Sequence, residues 1–167
     1  METQFEIIPS TVAETEQIID LILTIQQQEF NIPITAADQP DLNEIDQFYK
    51  APGGEFWIAK HHDQVIGSIA LINIGNGIGV IRKMFVHKDY RGKEKGIAQK
   101  LLVTLIAYAR TKGINTIYLG TVEKLQAAIR FYQRNGFVPV EKANLPAHMP
   151  LMKLDTHFFV LHSNDDK

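Results

Sequence analysis

The residues best equipped for chemistry lie in the stretch Tyr90-Arg91-Gly92-Lys93-Glu94-Lys95-Gly96-Ile97-Ala98-Gln99-Lys100-Leu101-Leu102. An apolar, strand-like run from Val80 to Val86 precedes it, and its second half opens a long amphipathic helix. The first-turn amides of a helix have no internal partner, and the helix dipole favours an anion beside them. Strand, glycine-bearing basic loop and helix N-terminus, in that order, make a holder for phosphates. Gly92 and Gly96 let the backbone bend and approach a ligand closely, while Arg91, Lys93 and Lys95 add positive charge. A diphosphate is the expected ligand. The spacing excludes two common holders: Ile97 follows Gly96 where a Walker loop needs Lys, and no G-x-G-x-x-G trio is present.

What remains resembles motif A of the Gcn5-related N-acetyltransferases, Q/R-x-x-G-x-G/A. Lys93-Glu94-Lys95-Gly96-Ile97-Ala98 fits that frame, with Lys in the Gln/Arg position and Glu94-Lys95 as an extension of the turn. Ala128-Ile129-Arg130-Phe131-Tyr132-Gln133-Arg134-Asn135-Gly136-Phe137 resembles the family's motif B, which ends Tyr-x-x-x-Gly-Phe. The two occur in the family's order with a strand between them.

The resemblance implies acetyl-CoA as co-substrate and Tyr132 as proton donor to the departing thiolate, with Phe131 beside it on the cofactor side. A phenol, with a pKa of about 10 against about 8.5 for a thiol, is neutral at working pH and has a proton to share. Spacing alone favours a core position for Tyr132, because Leu125, Ala128, Ile129 and Tyr132 share one helical face; the motif A resemblance reverses that preference. Met84-Phe85-Val86 resembles the family's fourth strand, whose backbone pairs with the pantetheine arm. The Asn that many members carry seven positions before the Tyr is Leu125 here, so that contact must come from elsewhere, Lys124 or Gln126 being at hand. Where some members place a carboxylate base on the fourth strand, this chain has Arg82 and Lys83. Glu55, His61, His87, Glu123 and Asp155 are chemically able to serve, as is ordered water, and sequence places none of them near an amine.

These residues need a scaffold, and composition bounds it. The 167 residues, 45% hydrophobic and 22% charged, suit one globular domain. A formal charge of −2 argues against a nucleic-acid binder. The absence of cysteine excludes disulfides, zinc–thiolate sites and an acyl-cysteine intermediate, so acyl transfer should be direct or use another nucleophile. Residues 1–10 do not read as a signal peptide, and no apolar run approaches a membrane span, so a cytoplasmic protein is expected.

The expected elements run in chain order. A strand over Gln4–Ile8 stops at Pro9, and Ser10 or Thr11 caps a helix from Val12 to Phe30. A short helix covers Asp41–Tyr49. Strands over Glu55–Lys60, Val65–Ile74 and Gly79–His87 form an antiparallel meander turning at Gly75-Asn76-Gly77. The third crowds both faces, as a doubly buried or bulged strand would. The motif A helix ends at Lys112-Gly113; then come a strand at Thr116–Gly120, a helix at Leu125–Asn135, and strands at Phe137–Val140 and Thr156–Leu161. The tail, 163–167, reads as loose.

The order β-α-α-β-β-β-α-β-α-β-β predicts a single α/β domain with a mixed, mainly antiparallel sheet, splayed between the Val80–Val86 and Thr116–Gly120 strands. It is the order of the family resembled. The expected reaction is acetyl transfer from acetyl-CoA to a primary amine on a small molecule, peptide or protein, without a metal. A non-catalytic acyl-CoA sensor is the alternative, and a homodimer built on the edge of the C-terminal strand is a further possibility.

Overall fold

The structure, a computed structural model, describes residues 4–163. Its centre is the meander. β2 (Glu55–His61), β3 (Gln64–Gly75) and β4 (Ile78–Val86) pair antiparallel in sequence. β1 (Glu6–Pro9) adds an edge, and Pro9 ends inside it, opposite Trp57, rather than stopping it; an edge strand tolerates proline. β5 (Thr116–Thr121), β6 (Val138–Pro139) and β7 (His157–His162) complete a seven-stranded sheet in the order β1-β2-β3-β4-β5-β7-β6. Among the described strands β4 and β5 are the parallel pair; the rest are antiparallel.

Helices cover both faces. α2 (Ile97–Thr111) places Ile97, Leu101, Leu105 and Ala109 on one stripe, and each is at most 1% exposed. Together with α3 (Gln126–Arg134) it packs on the face carrying Ile69, Leu71, Ile117 and Leu119. α1 (Thr15–Leu23) and the segment reaching Tyr49 cover the opposite face, around Phe56, Ile58, Ala70 and Val80.

The N-terminal helices depart from expectation. Thr11 caps a single 3-10 turn, Val12–Glu14, with Glu14 closing a capping box, and α1 starts only at Thr15. A π-helical turn, Thr24–Glu29, prolongs α1; its wider winding buries the adjacent Ile25 and Gln26 together. The short helix expected over Asp41–Tyr49 is two turns instead, Pro40–Asn43 and Asp46–Lys50. The reason is polar: both Asp41 and Tyr49 turn inward, and Tyr49 Oη donates to Asp41 Oδ2 at 2.5 Å.

Two further expectations shift. β6 keeps only two of its four expected residues, and Phe137 is spent on the core at 2% exposure. β6 covers the middle of β7, pairing opposite Phe159 and Val160. Ser163 is not loose: it is buried, and its N–H donates to Asn115 O at 2.8 Å. The remaining tail, 164–167, and residues 1–3 lie outside the described residues. Among those described, no helix is long and apolar enough to cross a membrane.

Candidate active site

The sheet opens where the sequence placed the splay. β4 and β5 pair from Ile78 opposite Thr116 as far as Ile81 opposite Leu119, and no further. The cause is a bulge. Ser68 pairs with Phe85 and Ala70 with Arg82, so Ile69 alone faces two residues, Lys83 and Met84. Lys83 carries the strain, at φ +56° without being glycine. Two anchors hold it there. Ser68 Oγ donates to Lys83 O at 2.6 Å, and Lys83 Nζ is buried 3.8 Å from Asp41 and donates to Gln39 Oε1. Gln39 in turn exchanges amide hydrogen bonds with Gln26 of the π turn. The irregular N-terminal segments thus exist to clamp the bulge.

On one side of the gap lies a cavity of about 1010 Å³. Of the residues picked from sequence, Met84, Phe85, Val86, Arg91, Gly92, Lys93, Gly96, Ala98, Phe131 and Tyr132 line it. Glu94, Lys95 and Ile97 do not. Glu94 folds its carboxylate back over Gly92, and the Ile97 side chain is core, 1% exposed.

The loop amides need a correction. Lys95 and Gly96 do not aim their N–H groups at a ligand; both donate to Gly92 O, at 3.1 and 3.3 Å, closing the extended turn. The free donors move one step on, to the first helical turn: Ile97, Ala98 and Gln99. Gly96 caps that turn in the left-handed conformation, φ +71°. Arg91 is likewise committed elsewhere. Its Nε donates to Val86 O at 2.8 Å and its Nη2 to Glu29 Oε1 at 2.8 Å, bolting the loop to β4 and to the end of the π turn. Lys93, Lys100 and Arg134 are exposed cations lining the cavity. Both substitutes for the missing Asn line the cavity and already hold backbone carbonyls. Lys124 Nζ donates to Phe30 O and Asn31 O, and Gln126 Nε2 to Glu123 O.

On the other side of the gap is a smaller cavity, about 100 Å³, whose wall includes Arg82, Lys83, Gly120, Tyr132 and Asp155. Tyr132 borders both cavities, as do Met84, Phe85, Leu125 and Ala128. Its ring packs edge-on against Phe131 and Phe137, centroids 5.7 and 5.5 Å away, and is 6% exposed. Burial, with a further push from Asp155, raises its phenol well above the ordinary value, so it holds its proton firmly.

Of the five acid–base candidates, only Asp155 reaches this wall. Glu55 pairs with Lys50, His61 contacts Gln4 O, His87 caps the turn at Asp89, and Glu123 is exposed. His62 follows His61 in the turn after β2, at φ +58°, and the two rings are 4.3 Å apart. Burial pushes the Asp155 carboxyl up to about 6, against the opposing pull of Arg82 and Lys83. Desolvation brings the Lys83 ammonium down to about 8, with Asp41 opposing. Burial, then Asp41, raises the Tyr49 phenol. Sequence reading missed Gln26, Gln39, Asp41 and Tyr49 as parts of the site. Polar residues between apolar positions of two broken helices were the available sign.

This arrangement defines a class: a bulged fourth strand, a parted fifth, and a phosphate-type turn opening the intervening helix. The description "Acetyltransferase (GNAT) family" matches residues 19–137, and the chain belongs to that family. An acetyltransferase of the family from Staphylococcus aureus Mu50 superposes with a TM-score of 0.92 at 37% identity, covering 96% of this chain and all of its own. An uncharacterized N-acetyltransferase of Escherichia coli is 33% identical over 112 residues, 65% of either chain. A protein of Salmonella typhimurium solved with its cofactor acetyl-CoA shares the fold, with a TM-score of 0.70 at 18% identity over 98% of this chain and 96% of its own. The chain spans 34 to 65% of the length of the curated relatives it matches.

Proposed function

We propose that the chain moves an acetyl group from acetyl-CoA to a primary amine by direct attack in a ternary complex. One observation carries this reading: two cavities of unequal size meet at a buried phenol, in a gap that a strand bulge holds open. The larger has the volume and the helix N-terminus that a nucleotide thioester needs. The amides of Ile97, Ala98 and Gln99, with Lys93, meet its diphosphate. The main chain of Met84–Val86 pairs with its pantetheine amides as an added strand. A backbone N–H at the bulge polarises the thioester carbonyl.

The amine enters from the smaller cavity. Its nitrogen attacks the carbonyl carbon, the C–S bond breaks, and the Tyr132 phenol gives its proton to the departing sulfur. A phenol with its pKa raised by burial stays protonated until a thiolate forms beside it, which keeps the donor ready without acidifying the site. Titration calorimetry with acetyl-CoA, followed by thiol release across an amine panel, tests the reading. Absence of binding at millimolar acetyl-CoA would end it. Tight binding without turnover of any amine would move the protein to a non-catalytic acyl-CoA sensor.

A further inference from the structure

The smaller cavity has a charge pattern that a simple amine does not satisfy. Arg82 and Lys83 stand on its β4 side, and Asp155 stands across from them beside Gly120 of β5. Behind the two cations sits Asp41, 3.8 Å from Lys83 Nζ and holding the Tyr49 hydroxyl. The four formal charges cancel. An ammonium without a counter-charge would leave one net positive charge in a desolvated pocket, a costly state. An acceptor that brings its own carboxylate restores neutrality.

The donors also fit. Arg82 Nη2 gives one hydrogen bond to Pro150 O, and Arg82 makes no ion pair within 4.0 Å among the described residues. A guanidinium has five N–H donors in a fork matched to a carboxylate. Asp155 has a backbone N–H bond to Met152 O but makes no side-chain hydrogen bond or ion pair among those residues. Its Oδ2 lies 2.6 Å from where a Cβ on Gly120 would be, so the missing side chain at 120 is what leaves room for the carboxylate at the cavity wall.

We propose that this cavity is the acceptor site and that it selects a small amine bearing a carboxylate, held by Arg82 in the field of Lys83, with the amine turned toward Asp155. The proposal rests on the acetyl-transfer reading above and adds the substrate class and the base. The proton balance closes. The acceptor enters as ammonium and gives one proton to the Asp155 carboxylate. The freed amine attacks the thioester carbonyl, and the C–S bond breaks. The thiolate takes the Tyr132 proton, the second nitrogen proton restores the phenol, and Asp155 later releases its proton to solvent. The groups facing Asp155 are Arg82 and Lys83 on β4 and Tyr132 on α3; the two cations keep it ionised near neutral pH despite burial.

The test uses the full chain and matched acceptors: amino acids, their amides and their decarboxylated amines, followed by thiol release at saturating acetyl-CoA. The carboxylates should win by at least about ten-fold in kcat/KM, the worth of a charge-assisted hydrogen bond. Arg82→Gln should raise KM for the acids about ten- to hundred-fold and affect the amides far less, erasing the preference. Asp155→Asn should lower kcat for every acceptor and remove the acid limb of the pH profile. Gly120→Ala, whose Cβ would push the Asp155 carboxylate aside, should lower kcat for every acceptor at unchanged acetyl-CoA affinity. Equal or better turnover of carboxylate-free amines overturns the proposal. So does an acid preference that survives Arg82→Gln in folded protein, or acetyl-CoA binding without turnover of any acid. In each case acetyl-CoA binding stays intact, whereas its loss would mark failure of the underlying acetyl-transfer reading.

Discussion

Removing the counter-charge behind the bulge is the sharpest perturbation the structure offers. Asp41 and Lys83 side chains are 7% and 3% exposed, and Asp41 also accepts the Tyr49 hydroxyl. Asp41→Ala leaves a buried ammonium without its carboxylate and a buried phenol without its acceptor. Breaking a buried pair from one side costs about 3–5 kcal/mol. At this chain length each kcal/mol lowers Tm by about 2–4 °C, so a fall of about 6–20 °C is expected. Lys83→Met in the Asp41→Asn background removes both charges while keeping volume, and should cost far less than the sum of the single changes. The coupling in a urea-denaturation cycle should therefore exceed about 1 kcal/mol. The same clamp holds the bulge, so Asp41→Ala should also weaken acetyl-CoA binding, measured by calorimetry well below the variant's Tm. Additive effects within about 0.5 kcal/mol would show that the pair does not hold Lys83, and would sink the account of how the gap stays open.

Tyr132→Phe should lower kcat by about 10²- to 10⁴-fold while acetyl-CoA affinity and Tm stay nearly constant, because the ring keeps its packing on Phe131 and Phe137; unchanged turnover in the thiol-release assay would remove its assigned role. Between the lowered Lys83 value of about 8 and its ordinary 10.5, the unfolded chain binds a proton that the folded chain does not, so this contribution to stability grows as pH rises across that window. The raised Tyr49 and Tyr132 phenols act oppositely above pH 10, where the unfolded chain loses protons that the folded chain keeps. Urea midpoints should therefore climb from pH 7.5 to 9.5 and fall by pH 11, and Lys83→Met should abolish the climb. With Asp155 as the proton acceptor, kcat/KM at fixed acceptor protonation should rise through about pH 6; a flat profile between 5 and 7 would argue for water. Gly96→Ala meets no atom within 4 Å but must adopt φ +71°, so melting should report only the left-handed penalty, about 1–2 kcal/mol.

Some of this molecule was decided locally and could be read without coordinates. The apolar stripe of α2, the Gly75-Asn76-Gly77 turn and the loop glycines act through neighbours a few residues away, and periodicity or backbone freedom exposes them directly. The same logic gave the phosphate-type turn and put Tyr132 on an inward face. Other features depend on residues distant in sequence. Arg91 looks like a phosphate ligand until Glu29, 62 positions earlier, takes its guanidinium. Lys83 looks like a misplaced surface lysine until Asp41 and Gln39 surround it. Asp155 was one of five equal candidates, and nothing local raised it above the others; the folding of the loop before β7 against Gly120 did that. Sequence alone determined the scaffold, because helices, strands and turns are settled by short-range sterics and burial patterns. Tertiary structure alone decided which charges are free to meet a substrate, because a charge becomes available or spent only when the chain brings a partner to it.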